Sequence, residues 1–222
     1  IRDSTIVVFT SDNGGSREGL DNGTSAYFRT LISQIRKNPL DSVELDHSRM
    51  DLLGGPQALA HYPSGWAMVS GTPFRLYKIT PHQGGHQVPF IVSKGQGLDD
   101  GGGIRRQYQH VTDLLPTVLD LVGVDMPIAK RGVPVPPAAG ASFTPSLSDA
   151  GADSTHPEQY YEQMGHRGFH RDGWSAVTCR QPRTPFSEER WELHHLAVDP
   201  TESRDLAEEH PERLAELVAA WE

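Results

Sequence analysis

Asp12 and Asn13 stand side by side after the apolar run Ile6–Val7–Val8–Phe9 and directly before Gly14–Gly15. A carboxylate and an amide carbonyl are both hard oxygen donors, the kind that Ca²⁺ and Mg²⁺ take. The two glycines allow the backbone to turn sharply after the run. Asp-Asn-Gly is also an ordinary strand-ending turn, and Ca²⁺ takes about 6–8 oxygens, so these two residues alone do not make a metal site. A second stretch, "PFRLYKITPHQGGHQVPFIV" (Pro73 to Val92), carries Lys78 and His82 ahead of another glycine pair. An ammonium at Lys78 would neutralise an anionic ester group, and an imidazole at His82 would move a proton to or from a leaving oxygen. A solvated lysine and a loop histidine are the plainer alternatives. Cys179 is the only cysteine, which excludes a disulfide framework or a thiolate zinc cluster within the chain. Its setting suits a buried or half-buried strand cysteine.

The elements that must position these groups are legible in outline. Ile6–Phe9 is β-branched and aromatic without alternation, as in a strand covered on both faces of a mostly parallel sheet. Functional groups gather at the carboxyl ends of such strands, where Asp12 and Asn13 lie. Val88–Val92 reads as a second strand. Asp21 to Gly71 is a long polar excursion with an amphipathic stretch near Tyr27–Ile35, and long loops of this kind are usually functional. Val111, Leu114, Leu115, Val118, Leu119 and Val122 recur at helical spacing with Gly123 as a stop, and Pro116 predicts a kink or a restart. Pro127–Ser154, rich in Pro, Ala, Gly and Ser, reads as a linker. Short strands follow at Gln159–Met164, Trp174–Cys179 and Arg190–Leu196. A closing helix starts at Pro211, with Leu214, Leu217, Val218 and Trp221 as its apolar stripe. The expected fold is α/β: part of a mostly parallel central sheet with flanking helices over residues 1–150, then a small antiparallel sheet with a closing helix over residues 151–222.

The 222 residues carry a formal net charge of −9. An acidic chain suits nucleic acid poorly, although one lysine beside a metal can still dominate a local field and receive an anion. No apolar run approaches the ~20 residues that a membrane-crossing helix needs. Neither nucleic acid nor membrane is therefore an expected partner, and the compartment is left open.

Together these stretches resemble the sulfatase family of the alkaline-phosphatase-like superfamily. "TIVVFTSDNGG" (Thr5 to Gly15) is similar to the strand whose Asp-Asn pair ligates calcium. Pro73–Val92 is similar to the segment whose lysine contacts sulfate. "VTDLLPTVLDLVGV" (Val111 to Val124) resembles the Asp-x-x-Pro-Thr helix, "GASFTPSL" (Gly140 to Leu147) a Gly-x-Ser-x-x-Pro-x-Leu stretch, and Trp191–Trp221 the C-terminal strand, Asp-Pro turn and helix. The resemblance implies a sulfuric ester hydrolase of arylsulfatase type. Asp12 and Asn13 would be metal ligands for Ca²⁺, with Mg²⁺ as an alternative, and Lys78 the residue that binds sulfate and helps stabilise the leaving oxygen. His82 would be a further candidate for proton transfer. His82, Gln83 and His86 depart from the common form of that motif.

The formylglycine precursor implied by the family, Cys/Ser-x-Pro-x-Arg, is absent; "CRQPR" (Cys179 to Arg183) has its proline one place late. The resemblance therefore implies a C-terminal portion whose nucleophile and remaining metal ligands lie upstream, inactive alone. Its partners would be a small sulfate ester, the missing N-terminal half, and a second copy of the chain if the cut sheet pairs with itself. A phosphatase or phosphonate monoester hydrolase of the same superfamily, or a non-catalytic module derived from a sulfatase, are the alternatives.

Overall fold

The computed structural model describes residues 1–36, 43–95 and 101–222. Residues 37–42, which fall within the Asp21–Gly71 excursion, lie outside the described set.

Strand β1 (Ile6–Thr10) pairs with β2 (Phe90–Lys94), with Val8 opposite Val92. The pairing is antiparallel, and among the described residues the two form a sheet of their own. The mostly parallel sheet expected above is not shown among the described residues. An unbroken apolar run reports burial on two faces, not strand direction or number. Here one face is bare, with Val7 55% exposed, Phe9 59% and Ile91 57%, while on the other Phe90 meets the ring of Phe143 edge-on at 5.6 Å. The run thus marks an apolar surface that the described residues leave uncovered.

The excursion is structured. It holds helix α1 (Tyr27–Arg36), helix α2 (Val43–His47) and helix α3 (Ser64–Ser70). Thr24 and His61 exchange backbone hydrogen bonds at its neck. Inside it, Asp46 accepts from the Ser25 amide at 2.6 Å and from the Arg29 guanidinium at 2.7 Å. Helix α4 (Gln83–His86) is a single turn that leads into β2.

Helix α5 (Leu114–Val122) ends at Gly123 in the left-handed region (φ 69°), as a helix-stopping glycine should. Pro116 sits in its first turn, where the missing N–H has no helical acceptor to lose, so the helix runs on unbroken. The stretch read as a linker is largely docked. It forms a small ribbon, β3 (Ala129–Lys130) with β4 (Val133–Pro134), and helix α6 (Thr144–Ser148). Phe143 before α6 is 3% exposed. Its backbone N–H donates to the Thr117 hydroxyl at 3.0 Å, and the Ala141 N–H donates to fully buried Asp113 at 3.0 Å. The Asp-x-x-Pro-Thr helix and the Gly-x-Ser stretch, separate in sequence, thus hold each other.

The C-terminal part is a meander, β5 (Glu158–Gln163), β6 (His166–Arg171), β7 (Trp174–Thr178) and β8 (Glu192–His195), all antiparallel. Three strands match the expectation and β6 is additional. Its sequence, His-Arg-Gly-Phe-His-Arg, has little apolar alternation. The turn at Asp172–Gly173 (φ 52° and 76°) is legible in the sequence, but the strand before it needs a second two-residue turn, Met164–Gly165 (φ 55° and 84°), also in the conformation that tight hairpins require. Helix α7 (Pro211–Trp221) begins with proline and packs Leu217 into a core with Phe169, Ala176 and Leu193. Arg167 on β6 lies over Phe186, Trp191 and Trp221 at 4.9–5.1 Å and pairs with Glu189 at 3.0 Å. This buried cation is therefore both stacked and paired.

The meander packs back on the first part. Arg75 bonds Glu192 at 2.5 Å, the Gln83 N–H bonds Glu202 at 2.8 Å, and His156 bonds Asp113 at 2.8 Å. His86 stacks on Tyr161 and His170 on Tyr108, at 4.5 and 4.1 Å between ring centres.

Candidate active site and cation-binding cleft

Two glycine pairs lock the candidate site together. The Gly14 N–H donates to the Gly85 carbonyl at 3.0 Å, and the Gly84 N–H donates to the Arg75 carbonyl at 2.8 Å. A methyl group at Gly14 would lie 1.8 Å from the Gly84 carbonyl oxygen, and one at Gly84 would lie 2.3 Å from the carbonyl oxygens of Arg75 and Leu76. Only residues without Cβ let these backbones approach so closely. The turn after β1 is thereby set against the segment that carries Lys78.

Asp12 and Asn13 line one wall of an open cleft of about 570 Å³, whose other walls include Tyr62, Ser70, Phe74 and Pro89. Asp12 is exposed and Asn13 half-buried. The Asn13 amide nitrogen donates to the Gly14 carbonyl at 2.8 Å, which leaves its amide oxygen as the atom a cation would take. The donor set is hard oxygen, as Ca²⁺ or Mg²⁺ prefers, and supplies two of the ligands such an ion needs.

Lys78 is joined to this wall through its backbone, whose N–H donates to the Gly15 carbonyl at 2.9 Å. Its neighbours are strained: Leu76 has φ 62° and Ile79, β-branched, has φ 84°. Such residues cost about 1–3 kcal/mol each and persist where the surroundings hold them in place. The Lys78 ammonium donates to Glu18 at 2.8 Å. That hydrogen bond, with the nearby charges of Glu18 and Asp12, raises the lysine's pKa and outweighs its desolvation. For Glu18 burial works upward, yet the Lys78 bond and the charges of Lys78 and His61 bring its pKa below the ordinary value. Lys78 is thus a fixed cation, held on a carboxylate that sequence reading missed. No local pattern links Glu18 to a lysine so far along the chain.

His82 is turned elsewhere. Its ring is 1% exposed and neighbours Glu192, His194 and Cys179, all from the C-terminal meander. Cys179 follows β7 and is half-buried, as expected. Burial chiefly, with the surrounding carboxylates, pushes its thiol up to about 11. At neutral pH it carries no thiolate and is a poor nucleophile.

Residues 1–124 match the family model described as Sulfatase. Across 99% of its length the chain is 28% identical to an uncharacterized sulfatase of Schizosaccharomyces pombe, of which it covers 37%. It is 29% identical over 142 residues to an arylsulfatase of Klebsiella aerogenes, of which it covers 28%. The chain therefore spans roughly a third of the length of these curated relatives. In fold it is similar to the crystal structure of Ps i-CgsB, with a TM-score of 0.59, 16% identity and coverage of 99% of this chain and 36% of that one. A protein described with the metabolism of multiple glycosaminoglycans by Bacteroides thetaiotaomicron superposes with a TM-score of 0.52 and 15% identity, covering 99% and 38%.

Proposed function

Because the chain belongs to the sulfatase family, we propose that it carries part of the active site of a sulfuric ester hydrolase acting on a small arylsulfate-like ester. The observation that carries this reading is one joint: the Lys78 backbone bonds Gly15, two residues beyond the Asp12–Asn13 pair. This joint ties the segment that carries the Lys78 cation to the turn that carries two hard oxygens, which supports the reading. Asp12 and Asn13 would hold Ca²⁺, or Mg²⁺, which when bound supplies positive charge toward the sulfate oxygens. Lys78 exchanges Glu18 for a sulfate oxygen and keeps its proton. It then offsets charge on the leaving oxygen as the sulfur–oxygen bond breaks. The overall change is hydrolysis: water adds, the alcohol or phenol leaves with a proton, and sulfate is released. No step is assigned to His82, whose ring faces the meander.

The nucleophile in this reading is a formylglycine carried outside residues 1–222, so these residues alone would be inactive. The test is turnover of 4-nitrophenyl sulfate by the natural polypeptide that bears this sequence. Lys78→Ala should lower kcat by about 10²–10³-fold, the usual cost of losing one transition-state donor, with the fold intact by circular dichroism. Unchanged turnover would remove Lys78 from the site. Faster turnover of 4-nitrophenyl phosphate than of the sulfate would make the phosphatase reading the better one.

A further inference from the structure

We propose that His82, Glu192 and His194 form a second cation site, for a divalent transition-metal ion of which Zn²⁺ is the natural type. It would staple the segment carrying Lys78 to the C-terminal meander. The site stands apart from the hard-oxygen pair at Asp12–Asn13 and does not depend on the sulfuric ester reading.

The case begins with β8. Glu192 and His194 are two apart on one strand and so point to the same face. His82, which caps α4, meets them from the first part of the chain. Glu192 Oε2 is 3.7 Å from His82 Nε2 and 3.4 Å from His194 Nε2. One ligand atom from each of the three residues lies within 4.8 Å of the other two. Tetrahedral Zn²⁺ with bonds of about 2.0–2.2 Å sets its ligands about 3.4 Å apart. The two distances to Glu192 already lie near that spacing, and the two imidazoles would close on each other from within 4.8 Å.

The chemistry of the donors agrees. Both rings are buried, at 1% and 0% exposure, yet neither Nε2 makes a well-formed hydrogen bond. Both nitrogens face Glu192 Oε2 at ion-pair distance without hydrogen-bond geometry, whereas buried polar atoms normally find close partners. His194 Nδ1 donates to the Arg204 carbonyl at 2.9 Å. When the ring is neutral this fixes the tautomer and leaves the lone pair on Nε2, facing the cluster. A backbone carbonyl behind a ligating histidine is the usual outer support of a metal site.

The surroundings hold a further carboxyl group and a guanidinium. Glu202 is 1% exposed, accepts from the Gln83 N–H through Oε2, and has its Oε1 buried without a partner. Arg75 donates to the same Glu192 Oε2 at 2.5 Å, so a bound ion would displace this guanidinium or take the other carboxylate oxygen. An open cleft of about 650 Å³, lined by Arg75, Glu192 and Glu202 among others, leads from solvent to this corner. Two imidazoles and a carboxylate suit Zn²⁺ and its neighbours in the first transition row, and are a poor set for Ca²⁺.

The experiment is a calorimetric titration of metal-stripped natural polypeptide with Zn²⁺ alone, in buffer containing millimolar Ca²⁺ to occupy hard-oxygen sites. Thermal unfolding and Co²⁺ absorption are followed in parallel. The expected result is one Zn²⁺ per chain, reversible by chelator. Tm should rise by at least about 2 °C at a hundredfold excess over Kd, and Co²⁺ should show tetrahedral visible bands. Glu192→Gln and His194→Gln should each weaken binding by at least about tenfold. Absence of Zn²⁺ binding to the unmutated protein would overturn the proposal whether or not the variants fold. So would binding of equal strength in both variants, because the ion would then sit on other histidines. Loss of sulfate turnover in Lys78→Ala bears only on the other site, so the two readings can fail separately.

Discussion

Replacing Gly14 with alanine tests the link between the glycine interlock and the hard-oxygen pair. The new methyl would stand 1.8 Å from the Gly84 carbonyl oxygen, and real contacts of this kind essentially never fall below 3.0 Å. The backbones must therefore separate by about 1.2 Å. Both obstructing atoms are main chain, so no side chain can yield. Gly84 is tied on its far side to the Arg75 carbonyl at 2.8 Å, so the turn holding Asp12 and Asn13 is the part that moves. Overpacking of this kind costs about 1–3 kcal/mol. A shift of about 1 Å in a positioning group costs on the order of 10²-fold in rate. Gly14→Ala in the natural polypeptide should therefore lower sulfate ester turnover by about 10²-fold, raise the Ca²⁺ needed for half-maximal rate, and lower Tm. Gly65→Ala, in α3 with nothing within 4 Å of the added methyl, is the control and should be neutral or stabilising by up to about 1 kcal/mol. Unchanged Tm in Gly14→Ala would refute the interlock. A lowered Tm with unchanged turnover would refute the role of Asp12 and Asn13.

Other perturbations reach the rest of the structure. Asp113→Ala strands three donors, the N–H groups of His110 and Ala141 and the ring of His156 at 2.7–3.0 Å. It should cost about 3–5 kcal/mol in urea unfolding; a loss below about 1 kcal/mol would mean that the junction does not depend on it. Burial lowers the pKa of both His86 and His170 to about 4, even with the Pro81 carbonyl on His86 and Asp172 near His170 pulling upward. These rings stay neutral in the fold while the unfolded chain protonates near pH 6.5. The folded state thus binds fewer protons, and its stability is full above pH 6.5 and lost as pH falls toward 4, by on the order of 2 kcal/mol per ring between pH 7 and 5. Denaturation midpoints that do not move over that interval would contradict this, and His170→Phe, which keeps the stack on Tyr108, should flatten the slope. The bare face of Val7, Phe9 and Ile91 should drive the 222-residue chain made alone to self-associate. Phe9→Lys with Ile91→Lys should shift its size-exclusion profile toward monomer; a wild-type profile that is already monomeric would refute this.

Short-range chemistry was readable along the chain. Leu214, Leu217 and Trp221 at helical spacing with Pro211 at the start specify α7, because one apolar stripe and a preset φ need no distant partner. Gly123 stops α5 for an equally local reason. The sequence also marked Asp12–Asn13, Lys78 and the two glycine pairs as the parts that could act together. Only the tertiary structure decided what each faces. It set β1 antiparallel to β2, since hydrophobic runs encode burial but not direction. It buried β6 despite its charged sequence, because Phe169 enters the core while Arg167 lies over the rings of Phe186 and Trp221. It docked a Pro- and Ala-rich stretch onto Asp113 and Thr117 through backbone donors that no composition reveals. It paired Lys78 with Glu18 and set His82 among Glu192 and His194. Contacts between residues far apart in sequence depend on how whole surfaces pack, and no local spacing carries that information.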